Sequence, residues 1–215
     1  QFYHCFGCNA NGSAIGFLME FDRLSFVEAI EELAQAAGLE MPDIGPERAP
    51  DTITPALLDS LSKANRFFKE QLRNHEESAE VIAYLKKRGL TGEIAALFDL
   101  GFAPPGWDNL VQTAADDAKV LETMARAGLV ATRQSGGYYD RFRSRVIFPI
   151  HDSKGRVVAF GGRIIGDGEP KYLNSPETPV FHKGSELYNL HRARSPIAQQ
   201  GHSLVVEGYM DVVAL

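Results

Sequence analysis

Cysteine is nearly missing from this chain. Two in 215 residues rule out a fold built on disulfides, and their arrangement, Cys5-Phe6-Gly7-Cys8, suits metal or redox chemistry in a reducing compartment better than a structural bridge. No run of eighteen apolar residues occurs, and the amino terminus is not basic then apolar. Neither a membrane span nor a signal peptide is expected, and the default location is cytoplasmic. Net positive charge is also absent: the formal charge is −6, which on its face argues against a nucleic-acid partner. With 44% hydrophobic and 23% charged residues, the chain is neither disordered nor fibrous and is long enough for one large core or two small ones.

The charge is unevenly spread. Residues 138–194 hold ten Lys+Arg against six Asp+Glu, and the remainder twelve against twenty-two. Local field rather than total charge steers a polyanion, so a nucleic-acid surface remains open for that segment.

At the amino terminus, aromatic residues alternate up to the Cys pair. A tetrahedral Zn²⁺ site needs four ligands, commonly two such pairs, and only one pair is present. A thioredoxin-like redox pair is the alternative, but it would open a helix. Asn9-Ala10-Asn11-Gly12-Ser13 follows instead, which is turn chemistry and favours half a zinc ribbon. Ser25-Phe26-Val27-Glu28 reads as a capping box opening a helix with the apolar stripe Phe26, Ile30, Leu33 and Ala37. Residues 41–55 carry four prolines and are expected to form a linker at a domain boundary.

From 56 to about 130 the periodicity is helical, with Leu57, Leu61, Ala64, Phe68 and Leu72 in one stripe. Gly136-Gly137 marks a change to strands. In Tyr138-Tyr139-Asp140-Arg141-Phe142-Arg143-Ser144-Arg145 the period of two would put Arg141, Arg143 and Arg145 on one face of an extended segment, a track for a phosphate backbone with bases stacking nearby. Residues 146–150 read as a buried strand, Asp152-Ser153-Lys154-Gly155 as a hairpin turn, and 156–165 as its partner. Gly161-Gly162-Arg163, the Lys171-to-Asn174 segment and Phe181-His182-Lys183-Gly184 each set a cation beside pliable backbone, an arrangement that admits phosphates.

Leu204-Val205-Val206 then reads as a short buried strand delivering Glu207 onto a tight turn at Gly208. Glu207 and Asp211, four apart, would face the same side if a helix follows. One or two carboxylates with substrate phosphates is the usual Mg²⁺ arrangement.

Glu207-Gly208-Tyr209-Met210-Asp211 resembles the first catalytic motif of the Toprim domain in DnaG-type bacterial primases. Tyr3-His4-Cys5-Phe6-Gly7-Cys8 with Ala14-Ile15-Gly16-Phe17 resembles the second half of the primase zinc-binding domain, and the words from Asp140 to Lys183 resemble the primase polymerase core. The resemblance implies an α+β chain: a partial zinc-ribbon element in 1–40, a linker in 41–55, a mixed α/β polymerase lobe in 56–200, and in 201–215 the first strand of an α/β Toprim domain. It implies synthesis of short RNA primers on single-stranded DNA by metal-dependent nucleotidyl transfer. Glu207 and Asp211 would serve as catalytic acids, with Mg²⁺ or Mn²⁺ on Glu207. Arg88, Arg141, Arg143, Arg145, Arg163, Lys171, Asn174 and Lys183 would contact template, ribonucleoside triphosphates or RNA primer, and Cys5 and Cys8 would hold half of a Zn²⁺ site. Further ligands are expected before Gln1, further acids after Leu215, and a replicative-helicase contact in a separate carboxyl-terminal domain, so the chain alone is expected to be inactive. A non-catalytic nucleic-acid-binding module and another Toprim enzyme, a topoisomerase or nuclease, are the competing readings.

Overall fold

A computed structural model describes residues 2–22, 24, 26–39 and 53–215, and contacts divide the chain into two units, Gln1–Pro50 and Asp51–Leu215. In the first unit, β1 (Phe2–His4) pairs antiparallel with β2 (Asn11–Ser13), Tyr3 opposite Gly12. The knuckle between them is closed by the Cys5 N–H donating to the Ala10 carbonyl at 2.7 Å and the Asn9 N–H to the Cys5 carbonyl at 2.8 Å. Ser13 caps α1 (Ala14–Phe21), its hydroxyl accepting the Gly16 N–H at 3.1 Å, which satisfies one of the free amides of the first turn. Next comes α2 (Phe26–Ala36), with Glu28 in its first turn. Ser25 of the expected capping box lies outside the described residues, as do 40–52, most of the expected linker.

The second unit opens with α3 (Ile53–Asn74), inside the span expected to be linker. Pro55 is its third residue, in the first turn, where a missing N–H removes no intrahelical bond. Leu57, Leu61, Ala64, Phe68 and Leu72 are all buried, as their spacing predicts. Helix α4 (Ser78–Lys87) stops at Gly89, whose φ of +82° lets the Leu90 N–H reach the Leu85 carbonyl and the Gly89 N–H the Lys86 carbonyl, a Schellman closure. Helix α5 (Gly92–Leu97) is capped by Thr91.

The strand β3 (Gly101–Ala103) interrupts the helical reading of 56–130, because three residues are too few to display a period. A Cβ on Gly101 would stand 2.6 Å from Phe68 Cβ, so only glycine lets the strand lie on α3. A 3₁₀ turn (Val111–Ala114) and α6 (Ala118–Arg126) follow, and then a two-stranded ribbon of β4 (Val130–Thr132) and β5 (Tyr138–Asp140). Beyond it come β6 (Arg145–His151), β7 (Val157–Ile164), β8 (Tyr172–Asn174), α7 (Leu190–Gln200) and α8 (Tyr209–Ala214). The main sheet runs β3-β6-β7-β8, antiparallel throughout. The predicted hairpin joins β6 to β7: Asp152 Oδ1 accepts the Lys154 and Arg156 amides at 3.0 and 2.9 Å.

Every residue of β6 is buried because both faces of the sheet are covered. On one face Ile147 and Phe160 pack with Phe142, with Phe68 and Leu61 of α3 and with Met124 of α6. On the other, Val146 and Phe148 meet Val81 and Leu85 of α4 and Met210 and Val213 of α8. Full burial of such side chains contributes about 1.5–3 kcal/mol each, so this strand is the mechanical centre of the unit. Among the described residues no helix is long and apolar enough to cross a membrane.

Two expected strands are corrected. Residues 138–145 are not one extended segment: β5 ends at Asp140, and Ser144 sits at φ +49° before β6 begins. Leu204-Val205-Val206 is not a buried strand either. No strand among the described residues pairs with it, and Leu204 and Val205 are 72% and 85% exposed. An apolar triplet is buried as strand only where neighbouring strands and covering helices enclose it.

At the end of β6 the His151 ring lies 4.5 Å from that of His191 on α7. Burial depresses His151 to about 4, with the neighbouring His191 adding to the effect. A histidine whose folded pKa lies below its unfolded 6.5 stabilises the fold above the unfolded value and loses that contribution as pH falls toward the folded one. Unfolding free energy should therefore decline between pH about 6.5 and about 4, by about 3 kcal/mol from His151. Urea melts of wild type and His151→Gln across that range check it: the variant should show a flatter acid limb.

Candidate active site and nucleic-acid interface

The acidic turn is fastened to the sheet through one aromatic ring. Gly208, extended at φ −117° and ψ 152°, is the N-cap of α8, and Tyr209 is the first residue of the helix. The Tyr209 ring occupies the space where Gly161 of β7 lacks a side chain; a Cβ there would stand 2.5 Å from Tyr209 Cε2. The same ring stacks on Phe148 at 5.3 Å and meets Tyr188 edge-on at 4.9 Å, and its hydroxyl donates to Asn174 Oδ1 at 3.0 Å. Burial pushes the Tyr209 phenol up against the opposite pull of Asn174, which keeps it a donor. Gly161 and Asn174 are register partners, so the ring clamps two adjacent strands.

Glu207 and Asp211 are both exposed. They open onto one cleft of about 690 Å³, whose walls include Tyr172 and Asn174 of β8. Asp211 folds back over the turn, and a Cβ on Gly208 would come within 2.9 Å of its Oδ2. The structure thus brings together Glu207, Asp211 and Asn174. A pair of carboxylates on a cleft wall matches the way Mg²⁺ is usually held, with substrate phosphates supplying further oxygens. Among the described residues no group of three or more His, Cys, Asp or Glu is arranged to hold a metal by itself.

The expected cations distribute more widely. Arg163 lies two residues beyond Gly161 on the same face of β7, about 7 Å along the strand, with its guanidinium 4.1 Å over the Tyr84 ring. Lys171 is exposed just before β8, and its carbonyl accepts the Ile164 N–H at 3.0 Å. Lys183 is exposed on a loop closed by the Thr178–Phe181 bridge and by Glu177, whose carboxylate accepts the Lys183 N–H at 3.1 Å and faces His182 Nδ1 at 3.1 Å. The Lys183 amide, and after it His182, holds Glu177 below the usual carboxylate range. Arg88 is exposed as the C-cap of α4.

Arg141, Arg143 and Arg145 do not share a face. Arg145 is only 4% exposed; its guanidinium donates to the Pro170 carbonyl at 2.8 Å and to those of Gly162 and Lys171 at 3.4 Å. It bolts the turn between β7 and β8 instead of meeting solvent. Arg141 is half-buried, with its N–H on the Leu129 carbonyl. Arg143 is half-buried as well: it lies 4.0 Å over Trp107, 5.6 Å from the Tyr139 ring, and donates to the Asp140 carbonyl. The buried Asp140 carboxylate secures this arrangement by accepting the Leu110 and Val111 amides at 2.7 and 2.9 Å, and burial raises its pKa against their pull.

Trp107, 56% exposed and standing beside Arg143 and Tyr139, was missed in the sequence. Its signal was the chain's single Trp directly after Pro104-Pro105-Gly106, a turn that holds a large ring outward.

In the first unit Cys5 and Cys8 are exposed free thiols. The Cys8 amide, then the Gly7 amide, lowers the Cys5 pKa, and thiolate character is what zinc requires. His4 rests edge-on against Phe6 at 4.8 Å.

Residues 67–194, more than half the chain, match the model of the DNA primase catalytic core, N-terminal domain, and residues 1–49 match the CHC2 zinc finger. The chain belongs to the DnaG-type primase family. A DNA primase of Pseudomonas putida is 53% identical over 222 aligned residues, covering 100% of this chain and 33% of the relative. A solved DnaG primase catalytic domain bound to ssDNA superposes with a TM-score of 0.70 at 45% identity, covering 75% of this chain and 50% of that one. The Aquifex aeolicus primase, solved with its zinc-binding and RNA polymerase domains, covers 100% of this chain and 51% of its own at TM-score 0.68 and 34% identity. The chain thus spans about a third of the length of that curated primase.

Arg143 and Arg145 should contribute unequally to stability. Arg145→Met leaves buried carbonyls without a charged donor and should cost about 2 kcal/mol, whereas Arg143→Met removes a half-buried cation–π contact beside the half-exposed Trp107 and should cost about 0.5–1 kcal/mol. Urea denaturation midpoints measure both; equal losses would contradict the assignment.

Proposed function

We propose that this chain is the template-handling part of a DnaG-type primase together with the first acids of its nucleotidyl-transfer site. The observation that carries the proposal is the shared cleft: Glu207 and Asp211 open onto the same space as Asn174 and Tyr172. On this reading single-stranded DNA runs over the Arg143–Trp107–Tyr139 platform, where bases stack, and along Arg163 and Lys171, which meet phosphate. Stacking on exposed rings and contact with phosphate are both tolerant of sequence, as a primase template path requires. Asn174 and Lys183 lie toward the incoming ribonucleoside triphosphate and nascent RNA, and Arg88 extends the track. Arg141 serves at its margin. Arg145 acts through the fold rather than by touching nucleic acid. The relative solved with single-stranded DNA supports the partner class.

Glu207 and Asp211 would hold Mg²⁺ or Mn²⁺, and the bound cation would stabilise charge on the oxygens of the transferred phosphoryl group. The chain's own contribution is orientation: Tyr209 and Gly161 fix the turn, so the carboxylates keep their place relative to β8. Two acids are fewer than a closed metal site needs, so the chain by itself is assigned template binding, not primer synthesis. Cys5 and Cys8 would supply two thiolates to zinc, consistent with the CHC2 zinc-finger match. Residues 1–40 are assigned to the zinc-binding domain, 41–55 to its linker, whose last three residues already form the start of α3, 56–200 to the polymerase lobe and 201–215 to the Toprim entry. A cytoplasmic replication protein that meets its helicase through another domain completes the proposal.

In a full-length primase carrying this sequence, Glu207→Gln should lower primer synthesis on the order of 10²-fold or more while leaving affinity for single-stranded DNA within about twofold. Arg143→Ala should weaken DNA binding and reduce the slope of log affinity against log salt by about 0.7, one phosphate contact on a single strand. Parallel primer-extension and fluorescence-anisotropy titrations read both. Loss of DNA binding in Glu207→Gln, or an unchanged salt slope in Arg143→Ala, would contradict the assignment.

A further inference from the structure

Away from the acidic turn, α3, α4 and α5 enclose a second hollow. Its volume is about 220 Å³, and its walls are aliphatic, chiefly Leu72, Ile82, Leu85, Leu90, Ala95 and Leu100. Three charged side chains border it, Lys69, Arg73 and Lys86, and all three are cations. Lys69 is committed to Asp99. Arg73 and Lys86 are exposed and make no ion pair among the described residues. Each stands in the last turn of its helix, where the helix dipole favours a cation. That accounts for their sign but not for an apolar hollow held open between them.

Size and chemistry together narrow the occupant. Small-molecule pockets span roughly 300–1,000 Å³, so a nucleotide or a drug-sized ligand exceeds this space. One or two large apolar side chains fit, and buried anchors of that kind carry most of the energy of protein interfaces. Nucleic acid is a poor match: a phosphate backbone has nothing apolar to offer these walls, and base stacking needs aromatic platforms, which they lack. Cations at the mouth of such a pocket select acidic flanks and speed encounter with them.

We propose that this hollow docks an acidic segment of a partner protein, which inserts one large apolar side chain between α3, α4 and α5 while its carboxylates meet Arg73 and Lys86. The site is distinct from the cleft at Glu207, and its occupancy does not depend on the assignment of that cleft.

Gly92, the first residue of α5, lines the hollow, and a Cβ built on it meets nothing within 4 Å. Gly92→Leu therefore sets a large side chain at the rim of the hollow without a clash at the Cβ. The test uses the full 215-residue chain and a fluorescein-labelled eight-residue peptide of Asp, Gly and Ser with one central Phe. One control peptide has Ser for the Phe and another has Lys for every Asp. The acidic Phe peptide should bind at least about tenfold more tightly than either control. That advantage should disappear in Gly92→Leu and in the double variant Arg73→Glu/Lys86→Glu, with thermal melts confirming that each is folded. Excess oligo-dT should not displace the peptide. Equal binding of the three peptides, retention in a folded Gly92→Leu protein, or displacement by oligo-dT would each overturn the proposal. Should Gly92→Leu fail to fold, the exposed charge-reversal pair decides alone.

Discussion

The arrangement rests on an aromatic ring lying on bare backbone. Tyr209 reaches the surface of β7 only because Gly161 has no side chain, and from that seat it stacks on Phe148 and bonds Asn174. Glu207 precedes that ring by two residues and Asp211 follows it by two. Their placement relative to β8 is therefore inherited from the most deeply buried part of the sheet, not from the loop that carries them. A short six-residue helix has little stability of its own. Seating its first residue in a packed core gives the acids the fixed position that phosphoryl chemistry demands.

Gly162, the next residue, does the same on the opposite face. A Cβ there would meet Phe142 Cδ1 at 2.9 Å and Arg145 Cδ at 3.0 Å. Successive residues of a strand point to opposite faces, so the glycine pair lets Tyr209 approach from one side and Arg145 from the other. Arg145 then ties the carbonyls of Gly162, Pro170 and Lys171 together. The turn joining β7 and β8 is thereby held by a buried cation, while the half-buried Arg143 nearby lies over Trp107.

The legible and illegible parts of this protein divide along physical lines. The stripe from Leu57 to Leu72, the Asp152 hairpin and the helix beginning after Gly208 were all readable, because each depends on local periodicity or turn chemistry. The glycine pair was read correctly as lying inside a hairpin strand, but its purpose was not, since the Tyr209 contact spans 48 positions of chain and leaves no local pattern. Arg141, Arg143 and Arg145 misled for a related reason. Their period of two is real, yet Ser144 at φ +49° turns the chain between them, and only tertiary packing shows that one guanidinium faces inward. Leu204-Val205-Val206 carries the composition of a strand, but strand structure is a property of pairing and no local run supplies a partner. Trp107 escaped because its role comes from Asp140, 33 residues later, which clamps the Leu110 and Val111 amides and steadies the loop. Ordered words, rather than any one motif, carried the family assignment, and the family matches at residues 1–49 and 67–194 agree with that order.

Mechanical coupling between the acidic turn and strands β7 and β8 is the central claim, and Gly161→Ala in a full-length primase carrying this sequence tests it most directly. The added methyl displaces the Tyr209 ring and moves the carboxylates without altering any acid or cation. Misplacement by about 1 Å costs on the order of 10²-fold in rate. Primer synthesis by the folded variant should fall by that order while its affinity for single-stranded DNA is retained, and synthesis at the unsubstituted rate would contradict the account.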